Sequence, residues 1–251
     1  MKAVIRFSFI FAFTIINSMS FSANKKITLV SDEWCPYICD VNSAKPGLIM
    51  ELGRETFKKL GYDVTLKTIN WARAIINVRK GKYAVLAGAY KSDAPDFVFA
   101  ETPLAISKNC FFVKKGSHWK YENINSLKTQ ELGVINDYSY GDNIDKFIKL
   151  NPTKIQSVSG NNALRANMKK LLIGRITVLI EDRYVFSYKA KKAGLFDNFK
   201  NVGCTAPHNV YISFSPNKAS SKTLAGEFNT EFNKLQKTPF VNEVLKKYIG
   251  E

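Results

Sequence analysis

Aromatic residues stand beside polar and charged ones at several points of this chain: Trp34 and Tyr37, Trp71 with Arg73, Tyr90 with Lys91, Tyr138-Ser139-Tyr140, and Asp182-Arg183. Aromatic faces, one carboxylate and one or two cations suit a small polar ligand carrying both charges. The same rings around Asp182 suit an amine or quaternary ammonium equally well, through cation–π attraction. The residues leave that choice open. Structural readings stand beside these: Arg73 can pair with Glu101, Asp182 can cap a helix or pair with Arg183, and Ser139 can be a plain helix cap. Glu181 and Asp182 are the only carboxylates placed for acid–base work. His118 and His208 are poorly placed for a nucleophile–base triad.

The elements that must position these residues follow from hydrophobic periodicity. Residues 27–30 form a β-branched first strand, with Trp34 and Tyr37 in the loop after it. Pro46-Gly47 turns into a helix with Leu48, Ile49, Leu52, Phe57 and Leu60 on its apolar face, ended by Gly61. A strand at 64–69, a helix over 71–80 and a strand at 85–89 complete a βαβ pattern, which implies a parallel sheet. The order repeats: strand 132–135, helix 140–150, strand 155–158, helix 161–172 capped by Asn161 or Asn162, strand 176–180. Arg79-Lys80-Gly81-Lys82 and Leu172-Ile173-Gly174-Arg175 are matching helix-to-strand phrases. One construction used twice predicts an α/β protein of two lobes, each a mostly parallel sheet flanked by helices, with a cleft at the strand ends. Extended stretches at 111–113 and 210–214 are read as the two crossings. Lobe 1 is then 25–108 plus 207–251, lobe 2 is the inserted 109–206, and the helical tail returns to lobe 1. Tyr138, Ser139 and Tyr140 open a lobe 2 helix, where free N–H groups favour an anion.

The chain starts as a secretory signal peptide does. Lys2 and Arg6 precede the apolar run 7–16, and Ser20 and Ser22 precede a cut after residue 22. The run is shorter than the roughly 20 residues of a membrane span. A soluble, periplasmic mature chain is expected. Formal net charge is +16, and about +14 once Lys2 and Arg6 leave with the leader. The strong positive charge favours anionic ligands or anionic membrane surfaces, while scattered lysines and export argue against nucleic acid. The four cysteines, an even number in an exported chain, read as disulfides with three possible pairings. Cys35 and Cys39 can close a local loop, which leaves Cys110 with Cys204. Metal-knuckle and thioredoxin spacings are both absent, and no metal or cofactor is expected.

Taken in order, the pieces resemble a family 3 extracellular solute-binding protein of the ABC-importer type. The resemblance rests on the strand and aromatic loop 29–37, Pro46-Gly47-Leu48, the phrase from Trp71 to Lys82, Asp96-Phe97-Val98-Phe99 with Pro103, Leu132-Gly133-Val134-Ile135, and Glu181-Asp182 at a strand end. It implies a two-lobe periplasmic-binding-protein-like fold of type II, with Asp182 facing the ligand. Two positions depart from the pattern. The resemblance implies an Arg before the Asp-Phe segment to clamp a ligand carboxylate, but this chain has Lys91-Ser92-Asp93-Ala94-Pro95. A lysine replaces a bidentate Arg only as a point charge. The family's Gly-Thr or Ser-Thr turn is Asp137-Tyr138-Ser139 here.

The function implied is monomeric capture of a small polar or charged solute for an ABC permease, without catalysis. Two alternatives stand beside it: a periplasmic enzyme resembling cyclohexadienyl dehydratases, and a sensor that presents its closed form to a membrane receptor.

Overall fold

The structure, a computed structural model, describes residues 25–160 and 162–250. The signal-peptide reading of residues 1–22 and the capping role of Asn161 lie outside the described residues. Two sheets carry the chain. The first contains strands β1 (Lys25–Ser31), β2 (Tyr62–Thr68), β3 (Val85–Ala89), β4 (Val98–Phe99) and β5 (Ala105–Ser107). The second is built from β6 (Asn109–Lys114), β7 (Leu132–Ile135), β8 (Ile155–Val158), β9 (Val178–Asp182) and β10 (Phe199–Cys204). The chain then returns to the first sheet as β11 (His208–Phe214).

Strand order is β2-β1-β3-β11-β4 in the first sheet, with β5 also on β11, and β10-β6-β9-β7-β8 in the second. Each sheet holds three parallel strands, β2-β1-β3 and β9-β7-β8. The strands next to the crossings add to them antiparallel. Parallel strands need long connections. Here helices α1 (Leu48–Lys59), α2 (Trp71–Arg79), α3 (Asp142–Leu150) and α4 (Ala163–Leu172) supply them. Strand β1 is mostly buried and apolar because it is flanked on both sides, whereas β2 is an edge and alternates partly buried with exposed residues.

Three sequence readings shift. The stretches 111–113 and 210–214 are sheet strands, and the crossings are the residues just outside them, Lys108 on the way out and 205–207 on the way back. The helix expected over 140–150 starts only at Asp142, because Gly141 breaks the backbone at φ 94°. A Cβ on Gly141 would also stand 2.5 Å from the His208 ring. Asn162 sits at the start of α4 but its side chain caps nothing. Helix α5 (Arg183–Lys192) and strand β10 were not foreseen. Both carry many lysines or polar residues, which weaken the apolar periodicity that sequence reading relies on.

The tail forms α6 (Ser221–Leu235) and α7 (Pro239–Ile249), which pack on α1. Phe228 meets Phe57 at 4.9 Å between ring centres and Phe214 at 6.2 Å. Glu51 of α1 takes hydrogen bonds from Lys247 at 2.8 Å and Tyr248 at 2.7 Å. Both disulfides are formed, Cys35–Cys39 and Cys110–Cys204. Cys110 pairs with Cys204 across β6 and β10, one or two residues from each crossing. That bond closes a loop of 94 residues, so its removal frees a large unfolded-state loop. Replacing both Cys110 and Cys204 by Ala is expected to lower stability by about 4 kcal/mol, read from denaturant unfolding. A loss under about 1 kcal/mol would show that the crossings hold their register without it.

Candidate functional site

The strand ends of the two sheets face each other across a cavity that opens to solvent. It spans about 380 Å³, solvent at its mouth included. Its wall is Asp32, Trp34, Ile38, Trp71, Gly88, Tyr90 and Asp93 from the first half, and Asn109, Tyr138, Ser139, Tyr140 and Glu181 from the second. Gly88 keeps the wall open: its φ is 86°, and a Cβ there would lie 2.7 Å from Ile38 Cδ1.

Each wall residue is placed by a strand end or a cap. Asp32 and Trp34 follow β1. The latter's ring stacks on Tyr37 at 4.4 Å and its Nε1 donates to Glu181 Oε1 at 3.3 Å. Trp71 begins α2, whose start is capped by Asn70 accepting from Arg73 N. Tyr90 and Asp93 follow β3, and Asp93 accepts from Tyr90 N at 2.7 Å. Tyr138 to Tyr140 form the loop before α3, after Asp137 in a left-handed turn at φ 63°. Tyr140 OH accepts from Ile135 N at 2.7 Å.

The two halves touch directly. Tyr138 OH donates to Asp32, Ser139 N donates to Asp93 Oδ1 at 3.3 Å, and the Ser92 and Ser139 hydroxyls lie 2.8 Å apart. Lys189 of α5 meets Glu33 at 2.5 Å. Trp71 and Tyr138 meet edge to face.

Adjacent acids at the end of β9 have separate tasks. Successive side chains on a strand point to opposite faces. Glu181 lines the cavity; Asp182, the acid expected to face the ligand, does not. Asp182 caps α5 through Tyr184 N and Val185 N, and accepts from Ser107 Oγ at 2.7 Å, Lys108 N at 3.0 Å and Tyr37 OH at 3.3 Å. It ties the outgoing crossing to the second sheet. The relay continues to Tyr90, whose hydroxyl lies 2.7 Å from Ser107 Oγ.

Of the residues singled out in the sequence, Trp34, Trp71, Tyr90, Tyr138, Ser139 and Tyr140 come together in this wall. Tyr37 and Asp182 lie buried behind it. Arg73, Lys91 and Arg183 are exposed and outside it. Lys91 rests over the Tyr211 ring, and Arg183 stacks on Tyr184 at 4.4 Å. Sequence reading missed Asp32, Ile38, Gly88, Asp93 and Asn109 as wall residues, and it took Asp182 rather than Glu181 as the ligand-facing acid. Asp32 and Asp93 sit in the same post-strand loops as Trp34 and Tyr90, which is the signal that marks them. The anion site expected at Tyr138 to Tyr140, which lie in the loop before α3, is filled by the chain itself: Ser139 N serves Asp93, and Tyr140 N serves Asp145 Oδ1 at 2.8 Å. Among the described residues, no group of His, Cys, Asp and Glu is arranged to hold a metal ion.

Burial dominates the electrostatics. It pushes Asp32 up to about 6, Asp93 to about 7 and Glu181 to about 8, against hydrogen bonds that partly restore the charged forms. Asp182 is also raised by burial, offset by its donors. Burial raises Tyr90, Tyr138 and Tyr140 well above the usual phenol range.

The profile of the bacterial extracellular solute-binding proteins, family 3, matches residues 27–251, and the chain belongs to that family. No curated protein sequence matches it. Among solved structures, a histidine kinase sensor domain with similarity to periplasmic binding proteins is 17% identical, with a TM-score of 0.77 over 90% of this chain and 97% of that one. An ABC uptake transporter substrate-binding protein from Streptococcus pneumoniae with bound histidine is 20% identical, with a TM-score of 0.73 over 91% and 94%. The arginine-, lysine-, histidine-binding protein of Geobacillus stearothermophilus is 18% identical, with a TM-score of 0.74 over 90% and 96%. These likenesses show the shared two-lobe fold. No helix among the described residues is long and apolar enough to cross a membrane.

Burial between the halves holds the pKa values of Asp32, Asp93 and Glu181 up, so this arrangement binds more protons than one with the halves separated would. The contact between the halves is therefore expected to be strongest at low pH and to weaken as pH rises through about 6 to 8. Trp34 and Trp71, buried between the halves, are expected to shift to longer-wavelength emission over that range in a Trp119→Phe background. Emission that stays constant from pH 5 to pH 9 would contradict this.

Proposed function

We propose that the chain is an exported capture protein, whose lobes close over a small polar solute and present the closed form to a membrane partner. The lobes are residues 25–108 with 207–251 and residues 109–206, hinged at the crossings beside Cys110–Cys204. The observation that carries this reading is the shared wall. Both halves contribute residues to one cavity, and hydrogen bonds from Trp34, Tyr138 and Ser139 cross it. A solute bound there touches both lobes at once, so it favours the closed over the open arrangement by its differential contacts.

Membership of an extracellular solute-binding family supports the reading. Export fits the amino-terminal leader pattern and the two disulfides. The partner is an ABC importer, in line with the substrate-binding neighbours. The likeness to a histidine kinase sensor domain favours a second reading, in which a receptor takes the importer's place. The wall offers no free nucleophile. Its one aliphatic hydroxyl, on Ser139, is engaged by Asp145 and Ser92, and all four cysteines are in disulfides.

Small molecules released when the purified protein is denatured can be identified by mass spectrometry and returned to stripped protein. The active one is expected to lower the radius of gyration in X-ray scattering. Unchanged compactness with every solute, the released extract included, would contradict capture.

A further inference from the structure

Unsatisfied polar atoms gather in this cavity. Among the described residues, six buried side-chain nitrogen or oxygen atoms lack a hydrogen-bond partner; three of them, Glu181 Oε2, Trp71 Nε1 and Asn109 Nδ2, belong to the cavity wall. Their residues are 1%, 6% and 2% exposed. A buried, unpartnered carboxylate oxygen is the costliest of the three to leave alone. It is the first group a ligand has to satisfy.

The surrounding charges point one way. Asp32 and Asp93 share the wall with Glu181, and no Lys or Arg lines it. An adjoining pocket of about 530 Å³, open solvent included, shares Asp32, Trp34, Trp71, Tyr138 and Glu181. Its one basic residue, Lys189, is held by Glu33 at 2.5 Å. The backbone N–H groups of Ser139 and Tyr140 already serve Asp93 and Asp145. A ligand carboxylate would therefore meet like charges wherever these acids are ionised, and in either state it would find no cation to clamp it. The two unused donors, Trp71 Nε1 and Asn109 Nδ2, are neutral and suit a hydroxyl, carbonyl or ring nitrogen.

We propose that the cleft selects a small organic cation lacking a carboxylate group, with an ammonium, guanidinium or imidazolium N–H on Glu181 Oε2 and a neutral acceptor at Trp71 and Asn109. The faces of Trp34, Trp71 and the wall tyrosines add cation–π attraction in a desolvated setting. This rests on the capture reading and narrows its ligand.

Matched pairs that differ by one carboxylate test it on the stripped protein by calorimetry: agmatine against arginine, histamine against histidine, tyramine against tyrosine. At least one amine is expected to bind more tightly than its amino acid, by about tenfold or more. Glu181→Gln keeps the Oε1 acceptor for Trp34 and Asp182, and Asp32→Asn keeps the acceptor for Tyr138. Each is expected to weaken that amine by about tenfold or more, with circular dichroism confirming the fold. Amino acids binding as tightly as their amines, or variants without effect, would overturn the cation class. If none of these probes binds, the solute released from the protein decides. A cation without a carboxylate supports the proposal. A carboxylate-bearing solute that closes the lobes overturns it and leaves capture standing. No closure with any solute overturns capture itself.

Discussion

A carboxylate oxygen shut between two halves of a protein, with no donor and no countercharge, sets the terms for the rest of this molecule. Glu181 stands at the end of β9 with Oε1 bonded to Trp34 and to the backbone of Asp182, and Oε2 bonded to nothing. Asp32 and Asp93 share its wall. A charged group in such a place is destabilising unless it is neutralised, solvated or paired. Protonation neutralises it, opening solvates it, and a cationic ligand pairs it. The same residue therefore couples the protonation, the shape and the occupancy of the cleft.

A cleft with that much unsatisfied polarity needs a rigid frame, and the frame is concentrated beside it. Asp182, next in sequence to Glu181, collects donors from α5, from Ser107 and from Lys108 at the outgoing crossing. Cys110–Cys204 ties the strands that begin and end the second half. The first half is closed behind its sheet by α6 and α7, through Phe228 against Phe57 and the Glu51 contacts to Lys247 and Tyr248. One acid of the β9 pair is thus spent on architecture and the other left available, a division that strand alternation imposes.

That alternation also marks where sequence reading succeeds and where it stops. The apolar periodicity of β1, β3, β7 and β9 and the Gly-basic phrases after α2 and α4 are local signals, so the doubled α/β pattern is legible in the chain. The aromatic wall is legible too, because Trp34, Trp71, Tyr90 and Tyr138 stand at strand ends or helix starts, where topology exposes them to the cleft. The facing of Glu181 against Asp182 is not, since one residue of register inverts it. Nor is the occupancy of the loop before α3: Asp93 reaches Ser139 from 46 residues away in sequence, and a free N–H and a filled one look alike in the chain. Arg73, Lys91 and Arg183 show the converse. Their neighbours point inward, while their own long side chains lie over aromatic rings or out toward solvent.

A crystal structure of the protein carrying the solute it acquires in the cell tests the central claim most directly. The account predicts closed lobes and a ligand nitrogen within hydrogen-bond distance of Glu181 Oε2, with no ligand carboxylate in the cavity. Closed lobes around a ligand carboxylate, or a Glu181 that meets only water, would contradict it.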